Sequence, residues 1–146
     1  MLGVYDRITF LKNCDLFKEL RACDLLEVAN ISKELSLCPG EFLIRSGEVA
    51  EELYIVIEGE LESVSDGRPF EKMGTGSIVG ELAIIDAKPR SADVVALSPS
   101  TLISVCRGDF LSLVEQFPCI SINVMVVLAE RLRKRSFELA HPDREL

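Results

Sequence analysis

Histidine is almost absent: the chain has one, His141, near the end of its 146 residues. A single imidazole excludes the three-histidine metal sites that some barrel enzymes carry on their inner strands. There is no GxSxG, so the nucleophile elbow of a serine hydrolase is missing as well. The five cysteines (Cys14, Cys23, Cys38, Cys106 and Cys119) form no CxxC pair and have no histidine-rich surroundings. An odd number scattered through apolar segments predicts buried, reduced thiols and not a disulfide framework or a zinc site. No apolar run reaches the roughly 18 residues of a membrane span, and "MLGVYDRITFLKNC" lacks a basic leader followed by a continuous apolar stretch. The expectation is a soluble, cytoplasmic protein with no membrane insertion. Basic residues are in deficit, 16 against 24 acidic, and a net charge of −8 repels phosphate backbones at long range. Nucleic acid is therefore not an expected partner of this chain alone. No Pro-, Gly- or Ser-rich linker interrupts the chain, whose 48% hydrophobic and 27% charged composition suits one domain with one core.

The chain divides into three parts. Residues 5–36 read as helical: in "CDLLEVANISKEL", Leu25, Leu26, Val28, Ala29, Ile31 and Leu35 recur at three- and four-residue spacing, and Asp24 with Glu27 three residues on resembles a capping box. Residues 37–107 read as β-rich. "FLIRSG" and "LYIVIEGELESV" are followed by "PFEKM", "SIVGE", "RSADVVAL" and "STLISVCR", with reversals at "SDGRP", "GTG" and "LSPS", spaced as in a compact barrel or jelly roll. Residues 108–139 turn helical again: Asp109 is a helix start, Pro118 closes that segment, and a long helix follows. On that helix Ile120, Val124, Val127, Leu128, Leu132 and Leu139 form a stripe whose first half is expected to pack on the barrel. Arg131, Arg133, Lys134 and Arg135 are expected to form a solvated face.

Chemistry concentrates in "VGELAIIDAKPRSADV". If Gly80 leaves a strand and residues 81–85 make one helical turn, unpaired N–H groups and a positive local dipole suit an anion there, and Gly80 lets the backbone approach it. Arg90, placed by Pro89, offers a planar fork of donors that fits a phosphate. Glu81 only accepts hydrogen bonds, so it selects a hydroxyl and disfavours a second anion beside it. Together the pair describes a ribose hydroxyl next to a phosphate, with Ser91 able to add a hydroxyl contact and Ala92 leaving room. The bland alternative is a structural Glu81–Arg90 ion pair, which is at best weakly stabilising when buried.

"GELAIIDAKPRSADVVA" resembles the phosphate-binding cassette of the cyclic nucleotide-binding domain family, which includes the catabolite activator protein and the protein kinase A regulatory subunits. "LFKEL", "CPGEFLIRSGEVAEELYIVIEGELE", "FEKMGTGSIVGELA", "DFLSLVEQFP" and "LAERLRK" resemble the family's segments in order and spacing, so the likeness runs over nearly the whole chain. The resemblance implies an α+β fold: a β-barrel jelly roll (double-stranded β-helix) flanked by N-terminal helices and a long C-terminal helix, as one domain over residues 1–146.

It also implies roles. Glu81 would accept from the ribose 2′-hydroxyl and Arg90 would pair with the cyclic phosphate. The backbone of Leu82 and Ala83 with the Ser91 hydroxyl would complete the cradle, and Gly80 would supply the close approach. Met73 and Val79 would wall the base, Val79 standing where relatives often carry an aromatic. Leu132, Arg135 and Ser136 on the long helix would cover the base. Relatives that prefer cGMP often have Thr after the cassette arginine; Ser91 at that place leans toward cAMP, with cGMP the alternative, Arg135 being able to pair with guanine's carbonyl.

The function expected is that of a non-enzymatic sensor of a 3′,5′-cyclic purine nucleotide, with no metal and no cofactor, transmitting occupancy through its C-terminal helix. After that helix "AHPDREL" is a short polar tail. Output would then lie in a partner or effector domain, in a homodimer made through the long helix, or in a larger polypeptide. Two rivals are a cupin-type metal enzyme, excluded by the histidine count, and a ligand-free structural or dimerisation module of the same fold, against which the presence of both Glu81 and Arg90 argues.

Overall fold

A computed structural model describes residues 2–143; Met1 and the last three residues of the polar tail lie outside the described residues. The chain opens with α1 (Val4–Lys12) and, after a run of turns, α2 (Ala22–Ile31). Eight strands follow: β1 (Lys33–Leu37), β2 (Phe42–Ile44), β3 (Glu52–Glu58), β4 (Leu61–Ser65), β5 (Arg68–Met73), β6 (Ile78–Val79), β7 (Asp93–Ala96) and β8 (Ser100–Cys106). The short helix α3 (Glu81–Asp86) interrupts them between β6 and β7, and α4 (Arg107–Gln116) and α5 (Pro118–Ala140) complete the fold.

The strands form two four-stranded sheets, ordered β1-β8-β3-β6 and β2-β7-β4-β5, with antiparallel pairings throughout. The sheets face each other across Leu37, Ile44, Val56, Leu61, Met73, Val79, Val94, Ala96 and Leu102. The outer face of the first sheet carries Leu53, Ile55, Ile103 and Val105, which pack against the helices in a second, larger core with Phe17, Phe110 and Ile120. Burial on both faces explains why β3 and β8 read as near-continuous apolar runs. The second sheet has only its inner face covered, and β4 and β7 alternate accordingly. This is the mixed helix and β-roll architecture that the sequence predicts.

Turn chemistry sets the registers. Asp66 and Gly67 both have positive φ, 52° and 74°, as the tight β4–β5 hairpin requires of its two central residues. At the other end of the chain, Pro118 starts α5 instead of merely closing α4. Phe117 before it is pushed out of the helical region (φ −126°, ψ 84°), and the two helices meet at 112°. No single helix among the described residues is long and apolar enough to cross a membrane.

Several expectations fail locally. Residues 33–36 are strand, not helix: Leu35 fits the spacing of α2, but Ser32 leaves the helix in extended conformation and β1 pairs with β8. The capping box at Asp24 is absent, because α2 begins at Ala22 with Arg21 as its cap; Asp24 instead takes a 3.2 Å hydrogen bond from Arg21 Nε. The strand expected from Arg90 starts at Asp93, and that expected over 77–81 is limited to β6. All five cysteines are free, but only Cys14 is buried; Cys23, Cys38 and Cys106 are exposed and Cys119 is half-buried. Burial pushes the Cys14 thiol pKa up.

Candidate functional site

β6 ends at Val79 and the chain reverses at Gly80, whose φ of 84° places it in the left-handed region. An L side chain is strained there, and a Cβ on Gly80 would lie 2.4 Å from Arg90 Nη1. The glycine therefore serves the turn and the seat of Arg90 at once. α3 begins with Glu81 and leaves the helix at Ala87 (φ 57°), while Arg107 Nε donates to Ile84 O at 2.9 Å and satisfies one of its C-terminal carbonyls.

Arg90 is 7% exposed. Its backbone is held on both sides by the 45–48 turn, with Gly47 N–H donating to Arg90 O at 2.8 Å and Arg90 N–H to Glu48 O at 2.9 Å. Its Nη1 donates to Gly80 O at 2.8 Å and its Nη2 to Glu52 O. Among the described residues no carboxylate lies within ion-pair distance of it. Burial pushes the Arg90 pKa down, while Tyr54, Glu48, Glu52 and Glu81 at longer range pull it up. A desolvated guanidinium oriented by two carbonyls and left without an adjacent anion is suited to receive one.

Glu81, 3% exposed, does not pair with Arg90. Its Oε1 takes a hydrogen bond from Arg131 Nη1, reaching down from α5, and Arg131 Nη2 donates to Ile78 O at 2.7 Å. Oε2 of Glu81 accepts no hydrogen bond from the described residues, which leaves an acceptor for a hydroxyl. Arg131 Nε also lies 3.5 Å from Glu71 Oε1 on β5.

Glu81 and Arg90 open onto one cavity between the second sheet and α3. Gly80, Leu82, Ala83, Ser91 and Ala92 line it on the cassette side, and two buried residues complete the wall, Met73 from β5 of the second sheet and Val79 from β6 of the first. The residues expected from the long helix are placed differently. Leu132 is 68% exposed and Ser136 is also exposed, neither lining the cavity, because each lies about 100° around the helix from the face that docks. Arg135 sits at the rim: its Nη2 donates to Phe70 O at 3.0 Å, and its guanidinium lies 4.6 Å from the Phe70 ring centroid.

The basic cluster is thus not one solvated face. Arg133 and Lys134 are exposed, but Arg131 enters the cavity. A sequence signal for it exists: Ile120, Val124 and Val127 continue at four- and three-residue steps to Arg131. Phe70 and Glu71, also lining the cavity, were missed because an exposed-looking hairpin strand carries no such periodicity.

The sequence model of the cyclic nucleotide-binding domain matches residues 34–117. The chain is 31% identical over 123 residues to a cyclic nucleotide-gated potassium channel of Rhizobium etli, covering 84% of this chain and 32% of the channel. It is 30% identical over 105 residues to the cyclic AMP receptor protein of Thermus thermophilus, covering 68% of this chain and 49% of the receptor. The chain therefore spans about a third to a half of these relatives' lengths. The solved structure of cAMP-bound PfPKA-R superposes with a TM-score of 0.78 at 25% identity, over 94% of this chain and 49% of that one. With the glycine turn, the buried arginine and the acceptor carboxylate arranged as described, the chain belongs to the cyclic nucleotide-binding domain family.

Proposed function

We propose that the chain is a non-enzymatic sensor of a 3′,5′-cyclic purine nucleotide, with cAMP preferred to cGMP. The observation that carries this reading is Arg90: a buried cation with carbonyl partners only, facing a cavity in which Glu81 retains an acceptor oxygen. The cyclic phosphate takes Arg90 together with the backbone of Leu82 and Ala83 and the Ser91 hydroxyl. The ribose 2′-hydroxyl donates to Glu81, and Met73 and Val79 flank the base. Ser91 in place of Thr supports cAMP.

Occupancy reaches α5 through Glu81. Arg131 holds one carboxylate oxygen and the ribose takes the other, so the ligand biases the position of α5 only by its differential affinity for the docked helix. Arg135 at the rim adds cover, while Leu132 and Ser136 face the base only if α5 rotates on binding.

The opposite face of α5 supports a second copy of the chain as partner. Ile122, Met125, Ala129, Leu132, Ser136 and Leu139 are all exposed and follow one another at three- and four-residue steps, the spacing of a coiled-coil seam. A larger polypeptide carrying an effector domain is the other arrangement consistent with the relatives' greater lengths.

Isothermal titration with cAMP, cGMP and 5′-AMP tests the reading. Saturable binding of cAMP, weaker binding of cGMP and little of 5′-AMP is expected. Tighter cGMP binding overturns the base preference, and no heat with any of the three leaves the structural module.

A further inference from the structure

With the phosphate on Arg90 and the ribose on Glu81, the space left for the base is bounded on the sheet side by Ser63, Phe70, Glu71 and Met73. One charged group among these, Glu71, sits at that end. Its carboxylate is fixed from α5: Arg131 Nε lies 3.5 Å from Oε1 and Arg135 Nη2 lies 3.8 Å from Oε2. Its side chain is only 26% exposed, so solvent screens it incompletely.

A carboxylate accepts hydrogen bonds and donates none. The purines differ at the 6-position in this property, adenine presenting an amino donor and guanine or hypoxanthine a carbonyl acceptor. An acceptor held opposite the 6-position rewards the first and repels the second. Because Arg131 and Arg135 already hold the two oxygens of Glu71, the carboxylate keeps its orientation when a neutral base arrives, and no side chain must be recruited to read it.

We infer that Glu71 is a specificity-determining residue, accepting a hydrogen bond from the exocyclic amino group of adenine and disfavouring 6-oxopurines. The inference rests on the proposed placement of phosphate and ribose. It also gives the preference for adenine a second basis, independent of Ser91.

The test compares cAMP with 3′,5′-cyclic IMP, which differs only around the 6-position, on the wild type, Glu71→Gln and Glu71→Ala. Wild type is expected to favour cAMP by about tenfold, the scale of one hydrogen bond to a charged group. In Glu71→Gln the amide can donate to a 6-oxo group, so the ratio falls toward one mainly because cyclic IMP binds better. In Glu71→Ala the ratio also falls, through loss of cAMP affinity. If both ligands weaken equally in Glu71→Ala, Glu71 only braces Arg131 and Arg135 and the assignment is wrong. A wild-type preference for cyclic IMP overturns it too, because the carboxylate then meets the base's N1–H. If neither nucleotide binds wild type, the failure belongs to the proposed function, whereas binding with an unchanged ratio belongs to Glu71 alone.

Discussion

Arg131 donates from Nη1 to the carboxylate of Glu81 and from Nη2 to the Ile78 carbonyl, so one side chain of α5 grips both the last strand before the cassette and the first residue of the cassette helix. Glu81 lies 50 residues earlier in the chain and is 3% exposed. The acidic member of the cassette is therefore already committed on one oxygen to the helix that would report occupancy. Arg90 is tied instead to backbone. The two charges of the cassette thus have separate partners, and neither neutralises the other.

Arg131→Ala should release the second half of α5 from the roll. The contact is partly solvent-screened, so the loss is about 1–2 kcal/mol. Hydrogen exchange of residues 127–140 should accelerate about tenfold while β3 and β8 keep their protection. Unchanged exchange along α5 would mean that apolar packing by Val124 and its neighbours holds the helix without this contact.

Gly80→Ala combines two penalties. The left-handed backbone costs about 1–2 kcal/mol for an L side chain, and the new methyl collides with the Arg90 guanidinium. Urea unfolding should show at least that destabilisation, and cyclic nucleotide affinity should fall more than tenfold because Arg90 is displaced. Wild-type affinity in a destabilised protein would separate the glycine's folding role from any part in binding.

The plan of the fold was legible because the hairpin signal at Asp66-Gly67 and the apolar runs of β3 and β8 act locally. The cassette was legible because a glycine, a carboxylate and a proline-placed arginine must stand close in sequence to build it. What was not legible depends on contacts distant in the chain. Leu35 satisfies helical spacing and becomes strand only because β8, some seventy positions on, supplies a hydrogen-bonding partner. Arg131 was hidden among basic neighbours, whereas the stripe divides as expected, Ile120 and Val124 buried in its first half and Leu132 and Leu139 exposed in its second.

Glu81→Gln should weaken cAMP binding by about tenfold, since a charged acceptor for the 2′-hydroxyl becomes neutral. It should scarcely change binding of 2′-deoxy-cAMP, which has no hydroxyl there. Equal losses for both ligands in parallel titrations would show that Glu81 acts by anchoring Arg131 and not by reading the sugar.

Replacing Ile122 and Met125 together with Glu removes two apolar seam positions that touch neither core nor cavity. Sedimentation should show a concentration-dependent dimer for the wild type and a monomer for the variant, with cAMP affinity of the monomer retained within a few-fold. A monomeric wild type at all concentrations would remove the second copy as partner and leave an effector domain in its place.

The most direct measurement is titration of cAMP into wild type and Arg90→Ala under identical conditions. Loss of a desolvated charge contact predicts an affinity drop of a hundredfold or more, with Arg90→Lys recovering little of it because one ammonium cannot reproduce the two-pronged seat on Gly80 O and Glu52 O. Affinity within about twofold of wild type in a folded Arg90→Ala protein would contradict the assignment of Arg90 to the phosphate, and with it the sensor.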